Sequence, residues 1–458
     1  MQQKLFFKTR NNIKKPRKGM RPIAILPLGF FSIIAIGTIL LMLPFSSTGA
    51  PLTFVESLFS ATTSVCVTGL TVIDPGSALT LFGQIVMVLL IQLGGLGFMA
   101  IATTLFMFLG KKVSLHDRMT IAESFGQSRL QGMIKLCLTA VKLTFSIELI
   151  GAFLLMIRFI PMYGVVRGAW VSIFTSISAF CNAGLDIFAT NSSMLNFSGD
   201  PFVLTVVMSL IVLGGLGFAV LGEILTHKKN RLSLHTKLAV LTTGILILGG
   251  AILFLLLESS NPDTFAQLPF GKRVVASFFQ SITPRTAGFD AVGQNSLTQA
   301  SKTLTMILMF IGASPASTGG GIKTVTFAVL VLQSYTIIRN RQALHVFGRK
   351  INDDIIKRSF CVLLLAMTFV MLITLIICVI ETETNIKSTD IAFEVISAMS
   401  TTGLSVGITT SLADASKILL CLTMFGGRVG LLTLALILGA RKKDIAIIKY
   451  PSEEILVG

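Results

Sequence analysis

Charge is what this chain has least of. Asp, Glu, Lys and Arg together make up 13% of its 458 residues, where a soluble domain carries about 25%. Hydrophobic residues make up 53% and the mean hydropathy is strongly positive. A water-soluble fold is excluded, and the chain reads as an integral membrane protein. Histidine is scarce too. His116, His227, His235 and His345 all fall in connections between apolar runs. With no histidine and no Asp/Glu pair at membrane depth, an intramembrane enzyme lacks its catalytic groups. The six cysteines (Cys66, Cys137, Cys181, Cys361, Cys378, Cys421) show no metal-ligand spacing and mostly lie in apolar runs, which indicates neither a disulfide framework nor a zinc site. A nucleotide-binding glycine fingerprint is missing, as is a soluble stretch of useful length. The reading is therefore of a non-enzyme with no cofactor of its own.

Long apolar runs are what is there instead. A helix needs roughly 20 apolar residues to cross the hydrocarbon core. Uncharged runs of that order lie at 22–44, 77–110, 201–222, 238–257, 303–322 and 359–380. Two weaker ones are 137–160, interrupted by Lys142 and Glu148, and 412–440, interrupted by Arg428. In chain order the eight runs form four pairs, and between the two runs of each pair lies a shorter Ser/Thr-rich segment: 51–68, 169–183, 273–287 and 390–402. These are expected to be re-entrant, and irregular backbone at membrane depth is tolerated only inside protein or along a wet cavity.

The net charge of +17 does not point to nucleic acid. Basic residues gather in the first 21 residues (Lys4, Lys8, Arg10, Lys14, Lys15, Arg17, Lys18, Arg21) and at 111–118, 228–237, 339–358 and 441–443. Each later cluster follows the second long run of a unit. Much of the acid lies in the opposite connections, as Glu56, Asp74, Asp186, Asp200, Glu258, Asp263, Asp290, Glu381, Glu383, Asp390 and Glu394. By the positive-inside rule both termini are cytoplasmic, the basic loops face anionic lipid or a regulatory protein, and an acidic outer mouth concentrates cations. The first run is too long for a signal peptide and reads as an uncleaved anchor.

Each short segment ends alike: SVCVTGL (64–70), AFCNAGL (179–185), TPRTAGF (283–289) and MSTTGLS (399–405). Gly69, Gly184, Gly288 and Gly403 lie 115, 104 and 115 residues apart. LGGLGF recurs at 93–98 and 213–218, and KKVSLHDR (111–118) is echoed by NRLSLHTK (230–237). The expected fold is all-α and membrane-integral, with four parallel M1–P–M2 repeats, eight transmembrane helices and four re-entrant pore loops around one central pore. The boundaries read as a basic segment 1–21, repeats 22–110, 111–226, 227–340 and 341–440, and a cytoplasmic tail 441–458. Pore-lining carbonyls require alternating backbone handedness, which glycine adopts at little cost, and carbonyl rings can replace an ion's hydration shell.

The run from Thr303 to Ile338 holds 36 residues and one charge, Lys323. As one helix it would measure about 54 Å, but GASPASTGGGIK (312–323) in its middle cannot hold a regular helix. A helix–loop–helix break at membrane depth is expected. Arg428, in MFGGRVG (424–430), falls mid-span, where a charge costs about 2.5 kcal/mol or more. We expect it to hold the loop through its carbonyls; snorkelling to the lipid interface is the alternative. Lys323 is either a second positive barrier or a solvated residue at the loop's end. Arg285 is expected to point away from the axis, and Glu148 either to bond a neighbouring helix or to serve a relay.

Four M1–P–M2 units with one filter glycine each resemble the Trk/Ktr/HKT superfamily of potassium transporters over essentially the whole chain from about Arg21. The resemblance is closest to the Ktr-type membrane subunit, since the chain starts directly at the first M1 where Trk-type relatives carry two further N-terminal helices. It implies a K⁺ selectivity filter of Val65, Cys66, Val67, Thr68 and Gly69; Phe180, Cys181, Asn182, Ala183 and Gly184; Pro284, Arg285, Thr286, Ala287 and Gly288; and Met399, Ser400, Thr401, Thr402 and Gly403. Relatives with serine for the first glycine favour sodium, so Gly69 implies potassium. The resemblance also implies a gating loop, here Gly312, Ala313, Ser314, Pro315, Ala316, Ser317, Thr318, Gly319, Gly320, Gly321 and Lys323, near an arginine that matches Arg428. A homodimer and a cytoplasmic ring of RCK-type nucleotide-binding subunits are further implications, with K⁺ as transported ion and Na⁺ as modulator. The rival reading in transport, a sodium- or proton-coupled secondary transporter, would need carboxylates along the path, and Glu148 is its one serious candidate.

Overall fold

The computed structural model describes residues 22–97, 133–188, 194–226, 232–341 and 343–438. The basic segment 1–21, the cluster 111–118 with His116, His227 and the tail 441–458 lie outside the described residues, as does the 98–110 part of the second apolar run. Among the described residues the regular structure is helical, apart from a two-residue antiparallel pair, His345–Val346 with Arg349–Lys350, and single bridges at Ser47–Leu79 and Ile311–Ile322.

The helices follow one order four times: an apolar helix, a shorter Ser/Thr-rich helix, and a second apolar helix. The first unit has α1 (Pro22–Leu41), α2 (Phe54–Cys66) and α3 (Leu81–Leu96). The second has α4 (Met133–Tyr163), α5 (Val165–Cys181), α6 (Pro201–Leu216) and α7 (Phe218–Thr226). The third has α8 (Leu234–Glu258), α9 (Phe270–Ile282), α10 (Gln299–Phe310) and α11 (Thr324–Ile338). The fourth has α12 (Asp353–Ile380), α13 (Ser388–Ser400), α14 (Asp414–Val429) and α15 (Leu431–Leu438). Helix starts are written into the sequence. Thr53 and Glu56 form a reciprocal capping box on α2, and Thr80, Asp200, Ser233, Thr298 and Asn352 cap α3, α6, α8, α10 and α12 with their side chains, each satisfying a backbone N–H that the first turn leaves open.

Cys137–Tyr163, Leu234–Glu258 and Asp353–Ile380 are long and apolar enough to cross a membrane. Their outward faces are hydrocarbon: Leu149 is 72% exposed and Phe153, Leu256 and Leu364 each 69%. The interior is the reverse: Ser60, Thr62, Thr63 and Ser64 of α2, Ser172, Thr175, Ser176 and Ser178 of α5, Ser277 and Ser281 of α9, and Ser397 and Ser400 of α13 are all enclosed. Oil outside and polar groups at the centre suit a lipid solvent.

In every unit a polar contact ties the end of the first apolar helix to the start of the second. Thr80 donates from its Oγ1 to the Phe45 carbonyl (2.7 Å), and Arg158 pairs with Asp200 (2.6 Å). Glu258 accepts from the Thr298 N–H (3.0 Å) and hydroxyl (2.8 Å). Glu381 accepts from the Ala413 N–H (2.9 Å) and Ser416 (2.7 Å).

The runs 201–222 and 412–440, expected to be unbroken spans, are broken. α6 stops at Gly217 (φ +93°) and α7 leaves at 99°; α14 stops at Gly430 (φ +94°) before α15. In the first unit α3 ends likewise at Gly97 (φ +78°). The physical reason is a positive-φ glycine three residues beyond Gly94, Gly214 and Gly427, a conformation that ends the helix and that an L-residue rarely adopts.

Candidate functional site: the glycine ring and the loop beneath it

The short helices end in left-handed residues. Val67 (φ +56°), Asn182 (φ +61°) and Thr401 (φ +50°) cap α2, α5 and α13, and Thr286 (φ +69°) holds the corresponding place after α9. Two residues on, Gly69, Gly184, Gly288 and Gly403 have φ of +106°, +63°, +79° and +92°. Handedness thus alternates along each strand, and the strained non-glycine positions are held by their surroundings. Hydroxyls of the short helices fix the strands. Thr63 accepts from the Gly69 N–H, Ser178 from the Leu185 N–H and Ser397 from the Gly403 N–H, each at 3.0 Å. Thr283 donates to the Phe289 carbonyl (2.5 Å).

The four glycines meet. A Cβ on Gly69 would lie 2.7 Å from the Ala183 carbonyl oxygen and 3.2 Å from the Gly403 Cα. One on Gly184 would lie 2.6 Å from the Ala287 oxygen, one on Gly288 would strike the Thr402 oxygen, and one on Gly403 the Thr68 oxygen. The carbonyls of Thr68, Ala183, Ala287 and Thr402 therefore converge around one axis in chain order, and only hydrogen at these α-carbons leaves the centre open. On one side the ring opens into a vestibule of about 180 Å³ lined by Asp74, Asp186, Asp290 and Ser405.

On the other side lies the segment 312–321 between α10 and α11, a break where the composition predicts one. Gly319 packs against Thr286 and Gly320 against Thr401, close enough that a Cβ on either would collide with the threonine hydroxyl. The Thr318 hydroxyl donates to the Phe180 carbonyl (3.3 Å), and the Ser314 N–H to that of Gly215 (3.0 Å). Ala316 accepts from the Phe218 N–H (2.9 Å). Arg428 donates to the Thr318 carbonyl on this loop and also to Gly94 and Gly95 at the end of α3; the second pair of contacts is not legible in the sequence. The Lys323 ammonium donates to the Gly319 carbonyl (2.7 Å). Both cations line a cavity of about 280 Å³ on the far side of the loop from the ring.

Several residues set aside in the sequence take definite places. Arg285 reaches α8, with its guanidinium near the Thr243 carbonyl (3.5 Å) and hydroxyl (3.4 Å). Glu148 accepts from Gln92 of α3 (3.1 Å) and lies 3.6 Å from the Cys181 sulfur, a neighbouring-helix contact. Cys66 and Cys181 are enclosed behind their strands. The hydroxyl six positions before the glycine (Thr63, Ser178, Ser397) was missed, although its recurrence in three units was a readable signal.

A TrkH profile, described as a cation transport protein, matches residues 1–445. The chain belongs to the TrkH family. It is 39% identical over 440 residues to the Ktr system potassium uptake protein B of Bacillus subtilis, covering 95% of this chain and 97% of that one. It is 37% identical over 450 residues to the potassium/sodium uptake protein NtpJ of Enterococcus hirae, covering 97% and 99%. Among solved structures it resembles the potassium transporter TrkH from Vibrio parahaemolyticus, with a TM-score of 0.71 at 17% identity, covering 93% of this chain and 86% of that chain. The fold is thus shared with a TrkH protein of low sequence identity.

Proposed function

We propose that this protein takes up K⁺ across the cell membrane through a gated, K⁺-selective pore on the axis of the glycine ring. The observation that carries the reading is the convergence of the Thr68, Ala183, Ala287 and Thr402 carbonyls between alternately handed strands. Backbone oxygens arranged in this way offer a dehydrated monovalent cation a replacement for its water. The names of the Bacillus relative, a potassium uptake protein, and of the Enterococcus relative, a potassium/sodium uptake protein, support potassium as the ion carried.

On this reading α1, α3, α4, α6–α7, α8, α10–α11, α12 and α14–α15 are the eight spans, and α2, α5, α9 and α13 are re-entrant. The vestibule with Asp74, Asp186 and Asp290 faces outward and gathers cations. The loop 312–321, held by Arg428, closes the inner side of the ring, with Lys323 adding positive charge below it. Movement is passive along the ion's gradient. A homodimer and a cytoplasmic nucleotide-binding ring of RCK type complete the proposed assembly, with both termini cytoplasmic and Na⁺ as a modulator.

The test is uptake of radioactive rubidium into liposomes carrying the purified chain, with K⁺ or Na⁺ as competitor, beside a Gly69→Ser variant. Uptake blocked by K⁺ and hardly by Na⁺, with selectivity loosened in the variant, supports the reading. Should the wild type be silent, a chain lacking part of 312–321 goes into the same assay, and a second silence sinks the pore.

A further inference from the structure

We propose that Glu394 is a positioning residue: it fixes the outer end of the fourth glycine strand and so sets how sharply the ring separates K⁺ from Na⁺. The proposal rests on reading that ring as a filter.

Glu394 lies on α13, nine positions before Gly403, and is 1% exposed. Every oxygen it has is used. Its Oε1 accepts from the Ser405 hydroxyl (2.5 Å) and the Val406 N–H (3.2 Å), and its Oε2 from the Thr409 hydroxyl (2.9 Å). Ser405 and Thr409 also touch one another (3.0 Å), and Ser405 accepts from the Gly407 N–H (2.8 Å). One buried carboxylate thus gathers the whole descending segment 405–409. Neither ion pair found among the described residues involves it, so hydroxyl and amide dipoles alone solvate it.

This segment is the continuation of the filter strand. Gly403, Leu404 and Ser405 line the vestibule together, so moving Ser405 moves the Thr402 carbonyl within a few bonds. The other units build the same region differently. The positions nine before their glycines hold Ser60, Thr175 and Phe279, all buried. In the third unit the acid is on the loop instead: Asp290 accepts from the Val292, Gly293 and Gln294 N–H groups, and Gln294 pairs with Gln280 of α9. Among the described residues, the fourth strand is the one whose descending segment is gathered by a carboxylate of its own short helix.

Discrimination between two monovalent cations depends on where the carbonyls sit and how strong their field is. A binding constellation is only as exact as the shell that supports it, with tolerances near 0.5 Å. Removing Glu394 leaves the ring's own atoms in place but frees one of its four walls to close on a smaller ion.

The experiment compares wild type, Glu394→Gln, Glu394→Ala and the double variant Ser405→Ala/Thr409→Ala in proteoliposomes, reading rubidium uptake with K⁺ and Na⁺ as competitors. We expect uptake to persist while Na⁺ competes about tenfold more effectively, equivalent to ~1.4 kcal/mol of lost discrimination, with Gln milder than Ala. The double variant should give the same shift from the other side of the contact, and decides the matter if the Glu394 variants fail to fold. A purely structural role would instead lower uptake at an unchanged ratio of K⁺ to Na⁺ competition, and that result overturns the proposal. Wild-type uptake blocked equally by both ions would overturn the filter reading, and this proposal with it.

Discussion

Arg428 donates a hydrogen bond to the carbonyl of Gly95 (3.3 Å), the residue that holds Arg428's own register in the first unit. GGLG at 94–97 and 214–217 and GRVG at 427–430 are one motif, and each ends in the positive-φ glycine that breaks its helix. The fourth unit replaces the second glycine by arginine and sends the guanidinium to the first unit's motif and to the third unit's loop.

Arg428→Ala should therefore release the loop. Hydrogen bonds from a charged donor contribute about 1.5–3 kcal/mol each, so losing the Thr318 contact alone can shift a closed–open balance by tenfold or more. The expected outcome is faster rubidium uptake at near-normal expression. Arg428→Lys should resemble Ala, because an ammonium cannot reach carbonyls on both sides as a planar fork does. Uptake kinetics equal to wild type in both variants would remove Arg428 from the proposed gate.

Deleting Ala316–Gly320 should likewise raise uptake, since this stretch packs against Thr286 and Thr401 directly beneath the ring. Selectivity between K⁺ and Na⁺ should stay as in wild type, because the deletion leaves all four strands intact. Unchanged or lower flux would make the segment an inert linker.

Two glycine substitutions separate packing from helix preference. Gly94→Ala would drive a Cβ into the Val65 carbonyl and to 3.0 Å from the Val67 side chain. Overpacking of that kind costs about 1–3 kcal/mol, and thermal unfolding in detergent should fall accordingly. Gly244 on α8 has nothing within 4 Å of its would-be Cβ, so Gly244→Ala should raise stability by roughly 0.5–1 kcal/mol.

The contacts that tie helix ends together should prove unequal. Arg158 is 57% exposed in its pair with Asp200, so Arg158→Ala should cost no more than about 1 kcal/mol. Glu381 is 4% exposed and accepts from two donors. Its replacement by Ala strands both at a cost of about 1–3 kcal/mol, and the same unfolding assay ranks the two.

The short helices and the break in the third unit were legible because composition marks them. The Ser/Thr-rich segment 51–68 becomes Phe54–Cys66, and 390–402 becomes Ser388–Ser400; a proline and three consecutive glycines announce the segment 312–323. The helix stops at Gly97, Gly217 and Gly430 were not legible. A lone glycine inside an apolar run is common in membrane helices, and LGGLGF reads as part of a span until its backbone is seen. Val67, Asn182 and Thr401 carry no mark of their left-handed φ, which tertiary contacts impose against intrinsic preference. Glu394 looked like one more acid of an outer connection; its burial depends on a loop that returns 11 to 15 residues later.

Ile311 and Ile322 are paired as a parallel bridge at the two ends of the loop. The ten residues between them leave and return at one point, so α10 and α11 are joined there whatever the intervening chain does. Lengthening such a closed excursion is cheap, about 0.6 kcal/mol for each doubling, and pulls on neither helix. Descendants of this sequence can therefore vary the obstruction under the ring by insertion, deletion or drift while inheriting the ring unchanged. On the proposed reading, how readily ions pass and which ions pass are separately heritable.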